Sequence, residues 1–266
     1  MTERLDAALA ARGLARSRSH AATLISAGLV SVDGRPVVKA AARVESVQEI
    51  TVAGADHYVS RAAHKLIAAL DGFGLDVSGR LALDLGASTG GFTQVLRERG
   101  AREVLAVDVG HGQMDPTVAA DPGVVVVEGF NARYMTADLL AQAAGRTEVP
   151  TVVTGDLSFI SLTHVLPAVA QVVGSDADVV LLVKPQFEVG RTAVKGGLVT
   201  NPIARVDAVE RVLWAAWDRG LGIRGFLASP LVGTHGNAEY IVHLAPGHEA
   251  DPSEWSDTVN RLAGSR

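Results

Sequence analysis

The chain of 266 residues contains no cysteine. That absence removes disulfide scaffolds, thiolate zinc sites and a cysteine nucleophile together. The eight histidines show neither H-x-x-x-H nor H-E-x-x-H spacing, so no metal site is expected. Positive charge is not in excess: Lys+Arg number 24 against 29 Asp+Glu, a net −5. No protein-wide basic field announces a nucleic-acid partner, although a local basic surface is compatible with these totals. Apolar runs such as Val179 to Val183 are strand-sized, far short of the ~20 residues of a membrane helix. Met1-Thr2-Glu3-Arg4-Leu5-Asp6 has no apolar segment of the kind a signal peptide carries. A cytoplasmic protein that does not enter a membrane is expected. Lysine is scarce: Lys39, Lys65, Lys184 and Lys195 stand beside 20 arginines. What is abundant is apolar sequence, 48% of the chain, enough for a sizeable core and too much for a disordered chain.

The first 58 residues read as a small αβ module. Thr2 is placed to cap a helix running to about Arg12, with Gly13 as its stop. A second helix is expected from Ser17 or Ser19 to Ala27. Leu29 to Val32, Asp33-Gly34 and Pro36 to Val38 form a hairpin signal, and Val44 to Val52 adds a further strand. A linker is expected at about 53–59, followed by a larger domain over 59–266. There the pattern alternates between helices and Val/Leu-rich strands: Leu81 to Leu85, Val104 to Asp108, Val124 to Glu128, Thr151 to Thr154 and Val179 to Val183. Helices are expected at Ser60 to Leu70, Phe92 to Arg99, Thr136 to Ala144, Ser161 to Val173 and Pro202 to Arg219. Gly225 to Ala228 and Glu239 to Leu244 are the last two strands. Near-continuous apolar strands indicate a parallel sheet covered on both faces, here an α/β sheet of about seven strands.

Leu83-Asp84-Leu85-Gly86-Ala87-Ser88-Thr89-Gly90-Gly91-Phe92 carries a strand through a glycine-rich turn into a helix. In an open α/β sheet, ligands bind at the carboxyl ends of strands near the point where strand order reverses. Glycines let a ligand approach the backbone, and the helix start offers free N–H groups. The spacing G-x-x-x-G-G is neither a dinucleotide fingerprint nor a Walker loop. Asp108 closes the next strand, suited to ribose hydroxyls, and Glu128 with Asn131 follows the third. A nucleoside spread over three strand ends is therefore expected. Lys184 follows an apolar strand and precedes Pro185, Asp156 lies at the same edge, Lys65 precedes the first strand and Glu239 opens the last. Lysine is the cation whose ionisation responds most readily to burial. Ser158 and Ser161 beside Asp156 lie outside any G-x-S-x-G elbow, which disfavours them as hydrolase nucleophiles. Arg4, Arg12, Arg16 and Arg18 against Glu3 and Asp6 leave +2 over the first 18 residues, a charge suited to phosphate.

Taken together, Ser60-Arg61, Lys65-Leu66, the 83–92 segment, Ala106 to Gly110 with Gly112-Gln113, Asp156 to Leu162, Leu182 to Glu188 and Gly236 to Glu239 resemble the TlyA family. Arg4-Leu5-Asp6, Gly13 to Arg18 and Leu24 to Gly28 resemble the small αL RNA-binding domain first seen in a ribosomal protein. The likeness spans nearly the whole chain; Ala62 departs from the glycine that usually follows the arginine. It implies a Rossmann-like class I methyltransferase domain of FtsJ/RrmJ type that uses S-adenosylmethionine to methylate ribose 2′-hydroxyls of ribosomal RNA. A Lys-Asp-Lys-Glu tetrad maps onto Lys65, Asp156, Lys184 and Glu239. The cofactor residues implied are Asp84, Gly86, Ala87, Ser88, Thr89, Gly90, Gly91, Phe92, Asp108, Glu128 and Asn131; those for RNA are Arg4, Arg16 and Arg18. The partners implied are ribosomal RNA and ribosomal subunits, with cytidine in 16S and/or 23S RNA as target. The family also carries a hemolysin label, which makes membrane lysis a rival reading. A non-catalytic RNA-binding or assembly factor is another.

Overall fold

The computed structural model describes residues 2–15, 17–26, 28–52, 57–190, 194, 196–233, 236–247 and 250–265. It divides into two units, Met1–His57 and Tyr58–Arg266.

In the first unit, strand β1 (Thr2–Arg4) pairs antiparallel with β4 (Arg43–Glu45); helix α1 (Leu5–Ala11) packs beside them and helix α2 (Arg18–Ser26) packs against α1. Thr2 does not cap α1. Arg4 is extended at the helix start and no side chain caps it, because residues 2–4 are paired with β4 instead. Strands β2 (Val30–Val32), β3 (Arg35–Pro36) and β5 (Ile50–Val52) form a second sheet in the order β3-β2-β5. Asp33 and Gly34 take φ of 49° and 75°, the double left-handed geometry that Asp-Gly suits in a tight hairpin. The single strand expected over 44–52 is two, split by a turn in which Gln48 N–H donates to Glu45 O at 3.1 Å. Leu5, Leu9, Ile25, Val30 and Val44 make a small core of their own.

The second unit is built on a seven-stranded sheet. Its strands are β6 (Leu81–Leu85), β7 (Glu103–Val107), β8 (Val124–Val127), β9 (Val152–Gly155), β10 (Asp178–Val183), β11 (Leu221–Ala228) and β12 (Tyr240–Pro246), in the order β11-β12-β10-β9-β6-β7-β8. All neighbours from β10 to β8 run parallel, and β12 alone is reversed. Apolar residues on the two faces of the sheet feed two separate cores, as the uninterrupted Val/Leu runs require. Order reverses between β6 and β9, so the crevice beyond their carboxyl ends is where this architecture takes ligands. Helix α3 (Ala63–Phe73) starts three residues later than Ser60, because Ser60 closes a preceding turn: its Oγ accepts from Ala62 N–H and its carbonyl from Ala63 N–H. Ala63, Leu66, Ala69 and Leu70 form its buried stripe.

Candidate active site

Sheet register alone brings four strand ends together. Val183 of β10 pairs with Tyr240 of the reversed β12, so Lys184 emerges where Glu239 enters. Gly155 of β9 pairs with Leu85 of β6, which sets Asp156 beside Gly86. Lys65 arrives from α3, buried although charged. Its Nζ donates to Glu239 Oε2 at 2.6 Å and to Asp156 Oδ2 at 3.3 Å. Lys184 Nζ lies 2.6 Å from Asp156 Oδ1, yet off the hydrogen-bond direction, and donates instead to Ser158 Oγ at 2.9 Å. The row Glu239, Lys65, Asp156, Lys184 thus alternates in sign. Lys65, Lys184 and Glu239 are each at most 7% exposed. A buried charge is tolerated only when paired, and here each has its counterion. Gly233 leaves room for this: a Cβ there would come within 2.5 Å of Glu239 Oε1.

Two clefts meet above the row. The smaller, about 220 Å³, is lined by the tetrad and by Ser60, Arg61 and residues 86–89, 91 and 92. The larger, about 510 Å³, is lined by Asp108, Val109, Gln113, Asn131, Phe159 and Ile160 among others. Gly86, Ser88, Asp156 and Ser158 line both. Asp108 accepts Ser88 N–H at 2.9 Å and Gly110 N–H at 2.7 Å on separate oxygens, which fixes its carboxylate at the cleft wall and leaves each oxygen a second lone pair.

Sequence-expected cofactor residues divide by place. Gly86, Ser88, Asp108 and Asn131 line the larger cleft, and Ala87, Thr89, Gly91 and Phe92 line the smaller. Asp84, Gly90 and Glu128 line neither. Asp84 is buried behind the loop and accepts hydroxyl bonds from Thr93 at 2.7 Å and Thr154 at 3.0 Å; burial first, and the charge of Asp156 as a lesser cause, push its carboxyl up to about 6. Gly90, at φ 94°, is a packing position: a Cβ would stand 2.5 Å from Met114 Sδ and 2.9 Å from Val118 Cγ1. Glu128 accepts Gly112 N–H at 2.7 Å, tying down the loop after β7. Gly86-Ala87-Ser88-Thr89-Gly90 also spells G-x-S-x-G, and Ser88 has φ 48°, as a nucleophile elbow would. Ser88 Oγ donates to Gln113 Oε1 at 3.1 Å, and among the described residues no histidine lines either cleft, so no base is placed to activate it.

Sequence reasoning missed Ser158 as a partner of Lys184, though its place two residues after Asp156 was the available signal. It also missed Glu188, which accepts Ser161 Oγ–H at 2.5 Å and Leu162 N–H at 2.9 Å. In the first unit, Arg4 and Arg18 both pair with Asp6, at 2.9 and 3.3 Å; the hydrogen bond from Arg4 leads in holding that carboxyl well below the usual range. Arg16 lies outside the described residues. Among the described residues, no cluster of three or more His, Asp or Glu is arranged to hold a metal.

Comparison with known proteins agrees with this layout. Residues 58–245 match the FtsJ-like methyltransferase model, and residues 3–50 match the S4 domain. A Mycobacterium tuberculosis protein named 16S/23S rRNA (cytidine-2′-O)-methyltransferase TlyA is 49% identical over 244 residues, covering 91% of this chain and 89% of that protein. Hemolysin A of Brachyspira hyodysenteriae is 37% identical over 91% of this chain and 99% of its own. A solved Streptococcus thermophilus structure, titled as a candidate hemolysin, superposes with a TM-score of 0.75 at 34% identity, covering 99% of this chain and 96% of that one. With a methyltransferase sheet matched along most of its length and an S4 domain ahead of it, the chain belongs to the FtsJ-like methyltransferase family, in its TlyA branch.

Proposed function

We propose that this protein transfers a methyl group from S-adenosylmethionine to a ribose 2′-hydroxyl of ribosomal RNA, at cytidine in 16S and/or 23S RNA within ribosomal subunits, in the cytoplasm. The observation that carries the reading is the buried row of Glu239, Lys65, Asp156 and Lys184 beneath two joined clefts. The named activity of the Mycobacterium tuberculosis relative supports the choice of substrate.

The larger cleft fits a nucleoside cofactor by its donor set. Asp108 retains lone pairs for ribose hydroxyls, Asn131 stands nearby, and Val109, Phe130 and Ile160 supply an apolar wall. Bound there, S-adenosylmethionine supplies a methyl group already activated by its sulfonium. A ribose hydroxyl is a poor acid, so the protein's share is to align that oxygen and to accept its proton. Lys184 is the base, in the smaller cleft beside Asp156 and Ser158, which line both clefts. Asp156 steers it, and Lys65 with Glu239 hold Asp156 and shape the smaller cleft. Arg4, Arg16 and Arg18 of the first unit grip RNA phosphates. Membrane lysis has less support: among the described residues no helix is long and apolar enough to cross a membrane.

Single-turnover methylation at saturating cofactor and RNA tests the assignment. Lys184→Ala is expected to keep cofactor and RNA binding while losing ~10²-fold or more in rate. Lys184→Arg is expected to fail as well, since guanidinium stays protonated. Near wild-type turnover by the arginine variant would refute the base, and by the alanine variant the whole tetrad.

A further inference from the structure

We propose that Ser158 is the positioning residue for Lys184, an inference that rests on Lys184 being the base. Among the described residues, one chain of charged groups leads away from the amine. Asp156 faces it from the loop after β9, while Lys65 from α3 and Glu239 from the start of β12 stand behind Asp156. The Phe187 ring of the short helix Pro185–Glu188 is 6.0 Å away. The shortest contact, to Asp156 Oδ1 at 2.6 Å, misses the hydrogen-bond direction, and the directed bond goes to Ser158 Oγ at 2.9 Å. Asp156 therefore steers the amine by charge, and Ser158 fixes the direction of its hydrogen bond. An amine nitrogen is tetrahedral, so pinning one N–H limits rotation about Cε–Nζ and restricts where the remaining lone pair can aim. A proton acceptor without that restraint would spend much of its time turned away from its target.

Hydrogen bonds brace one end of the loop that carries Ser158. Glu188, four residues after Lys184, fastens Ser161 and Leu162, the far end of the same loop. The residue after Ser158 is Phe159, a non-glycine at φ 65°. Ser158 also lines both clefts, so its hydroxyl lies at the boundary that methyl donor and ribose must share.

The test is a pH–rate profile in single turnover for wild type, Ser158→Ala, Ser158→Thr and Lys184→Ala, with cofactor affinity by calorimetry. Losing the hydroxyl removes a bond that favours the charged ammonium over the neutral amine. Ser158→Ala is therefore expected to move the rising limb toward lower pH by about half to one pH unit. Its plateau rate should fall about 10-fold through lost aim, with cofactor affinity unchanged. Ser158→Thr is expected to restore both limb and plateau. A Ser158→Ala profile with wild-type limb and plateau would overturn the proposal, and so would a lowered plateau with an unmoved limb, which is the mark of a merely structural role. Near wild-type rate in Lys184→Ala would instead bring down the underlying reading of the base, an outcome separable from the first two.

Discussion

Asp84 is the buried carboxylate whose removal has the most calculable effect. Its carboxyl is pushed from 3.8 to about 6, chiefly by burial. A folded chain that holds a proton longer than the unfolded one loses stability as pH climbs from about 4 to about 6, and stays at the lower level above that window. At about 1.4 kcal/mol for each pH unit, the loss is about 3 kcal/mol. Asp84→Asn keeps the shape and removes the charge. The amide oxygen can accept from one of Thr93 and Thr154, and the amide nitrogen can donate to the other hydroxyl. The variant is expected to gain about 1–3 kcal/mol at pH 7.5 and to flatten the slope between pH 4 and 6. Denaturant titrations at several pH values measure both. The three tryptophans, Trp214, Trp217 and Trp255, all lie beyond Tyr58, so their fluorescence reports the catalytic unit alone. Because Asp84 lines neither cleft, cofactor affinity should move by less than about 3-fold. A variant that is less stable at pH 7.5 and keeps the wild-type slope would refute the reasoning.

Asp108→Ala is expected to fold and to bind S-adenosylmethionine about 10- to 100-fold more weakly, since it loses ribose acceptors and also releases Ser88 and Gly110 N–H; calorimetry checks this. Replacing Arg4 and Arg18 together with alanine is expected to weaken binding to ribosomal subunits and to leave cofactor affinity unchanged. Because both arginines share Asp6, the salt slope should flatten by about one counterion rather than two, as filter binding across a salt series would show.

Much of the catalytic sheet was legible because its strands are buried on both faces. Runs such as Val179 to Val183 have no other plausible place in a fold, and β10 occupies Asp178–Val183. Boundaries failed where tertiary pairing overrode local signals. Thr2 looked like a cap, but β4 claimed residues 2–4 as a strand partner, a contact separated by about forty residues that no local pattern encodes. At the site, strand-end positions brought Lys184, Asp156 and Glu239 to one edge, but the sequence could not show which groups point at the clefts. Asp84 alternates inward with Thr154 as its neighbour in register, and Glu128 is consumed by Gly112. Ser158 stood beside Asp156 in the sequence, but its bond to Lys184 depends on the path of a loop whose next residue has positive φ.

Labelled methyl transfer to separated ribosomal subunits, with the product identified by nucleoside mass spectrometry and mapped along the RNA, decides whether this protein is a ribose methyltransferase. The wild-type protein is expected to form 2′-O-methylcytidine in ribosomal RNA, and Lys184→Ala to form none at undiminished cofactor binding. Label on a base atom instead of the ribose, or no label on either subunit from a protein that binds S-adenosylmethionine, would contradict that expectation.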